Sequence, residues 1–134
     1  MDKNDERESH LTESLVFTRD EAVAIISIND APYNRMSLEF MDELEVLVNT
    51  ISEDQDIRAV VMTAEGDENF SVGMNLKQLP EGIAIKGSAD AVFDQRLNVI
   101  SKIENMGKPW IATLFGYCLG GCLLYTSDAA DDSL

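Results

Sequence analysis

At 134 residues, 45% of them apolar, the chain is long enough for one hydrophobic core and short for two domains. Its formal net charge of −15 repels phosphate backbones and anionic bilayers, which argues against nucleic acid and membrane surfaces as partners. There is no apolar run of membrane-spanning length and no secretory signal in MDKNDERESH, and two cysteines are too few for a disulfide framework, so the default expectation is a cytoplasmic protein.

Residues 1–14 are polar, charged and without periodicity, which predicts a disordered or loosely attached lead-in. His10 lies there alone, and with Cys118 and Cys122 four apart it makes a poor metal site. Leu15–Thr18 and Ala22–Asn29 are β-like runs around a polar turn and predict a hairpin. The VAIISI stretch is apolar on both faces, as an interior strand requires. Residues 29–34 read as a loop, and Ser37 as the N-cap of a helix reaching about Asp54. Leu38, Met41, Leu44, Val48 and Ile51 share one face of that helix. Glu39, Asp42, Glu43, Glu45 and Glu53 lie opposite, a pattern that fits a solvated face better than paired catalytic acids.

Ile57–Thr63 predicts a strand, and the order strand–helix–strand predicts a parallel pair with a right-handed crossover. In Phe70–Lys77, Gly73 marks a turn or a close backbone approach. Ser71 beside it is not read as a nucleophile, because Gly-x-Ser-x-Gly is absent and no His is near. Leu79–Gly87 reads as a loop, on account of Pro80, Gly82 and Gly87. Ser88 then caps a second helix to about Met106, striped by Val92/Phe93, Leu97, Ile100 and Ile103, and closed by Gly107 and Pro109. Trp110–Leu114 is a short strand that enters the glycines Gly116, Gly120 and Gly121. Such a strand–turn reads in two ways: as close packing, or as a row of backbone N–H donors able to hold an anion or oxyanion.

Four stretches in this order, Val23–Ser37 (VAIISINDAPYNRMS), Ile57–Thr63, Phe70–Leu79 (FSVGMNLKQL) and Lys108–Gly121 (KPWIATLFGYCLGG), resemble the crotonase superfamily of enoyl-CoA hydratases and isomerases. The resemblance covers about Leu15 to Gly121. It implies an α/β fold, a crotonase-like spiral of ββα turns, present here as a truncated N-terminal half. It further implies an acyl-CoA thioester as substrate, coenzyme A entering only as part of that substrate, no other cofactor and no metal. Carried over by position, the N–H groups of Met74 and Gly121 would form the oxyanion hole. Tyr33, Arg35, Met36, Val72, Gly73, Asn75, Leu76, Tyr117 and Gly120 would line the substrate cleft, with Arg35, Lys77 and Lys108 as candidate cations for the phosphates. Full-length members of such a family would be homotrimers or hexamers.

The departures also carry information. Asn75 stands where the family often has Asp, and Phe115 where Asn is frequent. Leu124 stands where a hydratase carries its catalytic Glu. Cys122–Asp132 (CLLYTSDAADD) resembles a translated sequencing adapter, which predicts three segments: 1–14 lead-in, 15–121 crotonase-like, 122–134 non-native tail. Two main readings follow, with a plain interaction module built on the acidic amphipathic helices as a weaker third. One is the first half of an acyl-CoA hydratase or isomerase, inactive alone; the other is a non-catalytic acyl-CoA-binding protein. Truncation is expected to leave this polypeptide alone poorly stable, with apolar strand surface exposed and a tendency to aggregate.

Overall fold

The computed structural model describes residues 9–11 and 14–119. Four strands, β1 (Ser9–Leu11), β2 (Leu15–Asp20), β3 (Val23–Ile28) and β5 (Ala59–Ala64), join β7 (Trp110–Ala112) in one sheet of order β1-β2-β3-β5-β7. The β2–β3 hairpin is antiparallel and pairs from Leu15↔Ile28 to Asp20↔Val23. Glu21, at φ 53°, turns it. β5 then pairs parallel with β3, and β7 parallel with β5. A second, two-stranded parallel sheet joins β4 (Arg35–Met36) to β6 (Gly73–Met74).

The crossover from β3 to β5 is α1 (Leu38–Glu53). Ser37 caps it as its spacing predicts, its hydroxyl accepting from the Phe40 N–H at 3.0 Å. Phe40, Met41, Leu44, Val48 and Ile51 face the sheet and are buried against Ala24, Ile26, Ile28, Val60 and Met62. Burying each large aliphatic or aromatic side chain contributes about 1.5–3 kcal/mol, so this face holds the helix in place. At the other end Lys108 donates from Nζ to the carbonyls of Ile51 and, at 2.6 Å, Asp54. A cation on the last carbonyls of a helix satisfies orphan acceptors and the negative end of its dipole. Lys108 is therefore committed to α1 and is withdrawn from the candidate phosphate cations.

Three expectations need correcting. Ser9–Leu11, read as part of a loose lead-in, forms β1, antiparallel to β2 with His10↔Phe17. Ladder pairing uses backbone groups, so a strand at an edge needs no apolar periodicity of its own. Leu79–Gly87, read as a loop, is α2 (Leu79–Lys86). Pro80 sits in its first turn, where proline is tolerated, and Gly87 ends it in the left-handed conformation at φ 99°. Gly82 is buried because α2 lies tight on its neighbours: a Cβ there would come to 3.1 Å from Leu38 and 3.2 Å from Val92.

The third correction concerns α3 (Ala89–Asn105), which Ser88 caps through the Ala91 N–H. Its stripe is only half used. Val92 and Val99 are buried and Ile103 packs on the core, but Phe93 and Leu97 are exposed.

Candidate active site

The site is a ribbon of three chain segments, with 70–74 in the middle. On one side the Val72 N–H donates to the Tyr33 carbonyl at 3.0 Å, and β6 pairs with β4 as Arg35↔Gly73 and Met36↔Met74. On the other side Ser71 bridges in parallel to Cys118. There the Ser71 N–H donates to the Tyr117 carbonyl at 3.1 Å and the Leu119 N–H to the Ser71 carbonyl at 3.0 Å. One step earlier the Phe70 N–H donates to the Phe115 carbonyl at 2.8 Å. The two glycine-bearing stretches singled out in the sequence thus lie side by side and run the same way.

Local sequence explains the geometry. Gly73 takes φ 100°, a region costly for a residue with a Cβ. The Gly73 N–H is held by Ser71 Oγ at 2.9 Å, and Ser71 is buried, so this hydroxyl shapes the turn. Gly116 takes φ 59° where two backbones touch, and a Cβ on it would overlap the Glu68 carbonyl oxygen. Phe115 meets Phe70 edge to face, centroids 6.5 Å apart at 89°, which gives an apolar reason for Phe at that position.

Of the predicted lining residues, Tyr33 and Tyr117 are both well exposed, at 54% and 64%. Arg35 donates from Nε to Asp30 Oδ2 at 2.8 Å, and its guanidinium lies 5.5 Å from the Tyr33 ring centre. The Asp30 hydrogen bond, then its charge, raises the Arg35 pKa above its ordinary value, so the guanidinium stays charged at every working pH. Lys77 is exposed in the turn after β6, where Asn75 Oδ1 accepts its backbone N–H at 3.2 Å. That bond gives Asn75 a turn-forming role that an Asp would fill equally.

Met36 is fully buried and its carbonyl accepts from Arg96 at 3.0 Å, so its side chain belongs to the core and is closed to a ligand. Val72 is half-buried, Met74 is half-buried in β6, and Leu76 opens the 3-10 turn Leu76–Gln78. Gly120, Gly121 and the proposed tail at 122–134 lie outside the described residues. Among the described residues no cluster of His, Cys, Asp or Glu side chains has the makings of a metal site, and no helix is long and apolar enough to cross a membrane.

Sequence reasoning missed three polar side chains that brace the ribbon. Gln78 Oε1 accepts from the Leu38 N–H at 2.9 Å, a second cap that ties the turn after β6 to the start of α1. Asn34, fully buried at φ 52°, and Asn69 join the loops on either side of the ribbon. Asparagine before a strand, in a loop needing a left-handed residue, is a local signal that was available for Asn34.

Residues 18–130 match the enoyl-CoA hydratase/isomerase family model. That match runs past Gly121, where the motif resemblance ended. A probable enoyl-CoA hydratase of Bacillus subtilis is 29% identical over 106 residues, 78% of this chain and 40% of that protein. A short-chain-enoyl-CoA hydratase of Clostridium acetobutylicum is 25% identical over 109 residues, 81% of this chain and 41% of its own length. The chain therefore spans about two fifths of the length of these two curated relatives. In fold it is similar to an enoyl-CoA hydratase/carnithine racemase of Magnetospirillum magneticum, with a TM-score of 0.76 at 23% identity, over 86% of this chain and 43% of that one. On the family match across most of its length, the chain belongs to the enoyl-CoA hydratase/isomerase family, with the α/β crotonase fold.

Proposed function

We propose that the ribbon is the thioester-holding part of an acyl-CoA hydratase or isomerase, with the backbone N–H groups of Met74 and Gly121 as its oxyanion hole. The observation that carries this reading is the parallel bridge between Ser71 and Cys118, because each donor follows its bridge partner by three residues. The thioester carbonyl oxygen would accept from both N–H groups. As a bond forms or a proton leaves next to the carbonyl, negative charge moves onto that oxygen. Donors fixed beforehand stabilise it without reorganising, each by roughly 3–4 kcal/mol in the transition state. Backbone donors suit the task here, because Met74 and Gly121 need supply no polar side chain.

The phosphates of coenzyme A would meet Lys77 and the Arg35 edge of the cleft, with Tyr33 and Tyr117 beside them and Val72, Gly73, Asn75, Leu76 and Gly120 forming its backbone wall. Hydration additionally needs a carboxylate to activate water, and isomerisation one base to move a proton between carbons. Leu124 occupies the place of the family's catalytic Glu, so the chain alone is expected to bind and polarise a thioester without turning it over. The same residue favours a second reading, a non-catalytic acyl-CoA-binding protein. Assembly of a full-length parent as a trimer or hexamer, in the cytoplasm, belongs to the same proposal.

The test is an NMR titration of the 134-residue chain with crotonyl-CoA and, separately, with coenzyme A. The proposal expects the Met74 and Gly121 amide protons to move downfield with the thioester and to stay in place with coenzyme A alone. Equal responses to both ligands, or none, would overturn the oxyanion hole.

A further inference from the structure

Two asparagine side chains cross the ribbon at its open end, and every polar atom they bring there is used. Asn34 Nδ2 donates to the carbonyls of Glu65 at 2.9 Å and Asn69 at 2.7 Å, while its Oδ1 accepts from the Asp30 N–H at 3.0 Å. Asn69 Nδ2 donates to the Pro32 carbonyl at 2.7 Å, and its Oδ1 accepts from the Tyr117 N–H at 3.3 Å. The two amides thus join three stretches of chain that have no sequence continuity: 30–36, 65–74 and 115–119.

We infer that Asn34 and Asn69 are positioning residues, which set the spacing between segment 70–74, which carries the Met74 donor, and segment 115–119, which precedes Gly121 in the sequence. The argument is one of stiffness. A backbone oxyanion hole has no side chain to adjust, so its geometry is only as good as the separation of its two strands. Between 70–74 and 115–119 that separation rests on a few backbone bonds around an isolated bridge. Asn69 adds a bond at the point where Gly116 lets the two backbones approach. Asn34 fixes Asn69 in turn, by holding the carbonyl of the same residue. Asn34 is fully buried, so losing its donors would deprive the partly buried carbonyls of Glu65 and Asn69 of these bonds. The roles are specific to amides: aspartate lacks the donors and glutamine overreaches by one methylene.

This inference rests on the proposed function for its purpose, but its geometry is testable without any ligand. The variants are Asn69→Ala, at a half-exposed position outside the sheets, and Asn34→Asp, which keeps the shape and the Asp30 contact. Amide hydrogen exchange is the first readout. Exchange at Ser71, Tyr117 and Leu119 should rise about tenfold in either variant, with Ile26 and Val61 of the main sheet unchanged. The second readout is the downfield response of the Met74 amide to saturating crotonyl-CoA, compared with the affinity for coenzyme A. The inference expects that response to shrink while coenzyme A affinity holds, and a purely structural role would not produce this split. Wild-type exchange at Ser71 and Leu119 in Asn69→Ala would overturn it, whatever Asn34→Asp does. If the unaltered chain shows no Met74 response, the oxyanion reading fails, and the exchange result alone then decides whether the asparagines set the spacing.

Discussion

Replacing Gly116 by alanine tests the close approach on which the ribbon depends. Gly87 and Gly107 supply internal controls. All three have positive φ, 59°, 99° and 78°, so alanine at each carries a conformational penalty of about 1–2 kcal/mol. At Gly87 and Gly107 an added Cβ meets nothing within 4 Å, and the penalty ends there. At Gly116 the Cβ falls on the Glu68 carbonyl oxygen and at 3.0 Å from the Asn69 Cα, both of them backbone that cannot swing aside. Moving the strands apart sacrifices the Phe70–Phe115 and Tyr117–Asn69 hydrogen bonds and loosens the edge-to-face ring pair. With each bond worth about 1 kcal/mol, Gly116→Ala should cost about 3–5 kcal/mol in all. Against a total stability of roughly 5–15 kcal/mol, that is a large fraction. Urea unfolding followed through the single tryptophan, Trp110 on β7, reads it directly. The midpoint should fall by about 1–2 M for Gly116→Ala and by about half that or less for the controls. A Gly116→Ala midpoint equal to that of Gly87→Ala would refute the argument.

Further predictions follow from single contacts. Ser37→Ala should destabilise by about 1 kcal/mol in urea unfolding, the usual cost of a lost N-cap. Gln78→Ala should add to it less than independently, since both side chains serve the same helix start. Asp30→Asn should release Arg35 and tighten coenzyme A binding by a few-fold at low salt in calorimetry, an advantage that disappears as salt is raised. Weaker binding would remove Arg35 from the phosphate site. Because the Asp30 hydrogen bond and charge raise the Arg35 pKa, the part of stability it supplies is complete below its ordinary value and is lost only as pH climbs through the raised one; no loss from this group should appear between pH 6 and 9. Ile111 is 56% exposed on β7, an edge strand among the described residues, so Ile111→Lys should raise the soluble fraction at high concentration in sedimentation.

The hairpin, α1 and the parallel crossover were legible because their signals are local and concordant: an apolar run of β-branched residues, a serine cap and a 3.6-residue stripe ending near Asp54. The same logic misread α2, where Pro80, Gly82 and Gly87 looked like three breaks. Their positions matter more than their presence: first turn, tight helix contact, and left-handed end. The stripe of α3 was legible but not its burial, since Phe93 and Leu97 have the right spacing and lie in the open. At the site, the glycines marked the turns, and family resemblance, not spacing, assigned Met74 and Gly121. The bracing by Asn34, Asn69 and Gln78 across the ribbon joins residues 31 to 48 positions apart, a distance over which a polar loop residue carries no pattern.

Under the proposed function two backbone donors polarise an acyl-CoA carbonyl. The most direct test is the infrared stretch of crotonyl-CoA labelled with carbon-13 at the thioester carbonyl, recorded free and bound to the 134-residue chain. Two short hydrogen bonds weaken the carbonyl double bond, so the bound band should lie below that in water and below its position in Asn69→Ala. A bound band at or above its frequency in water would contradict the proposal.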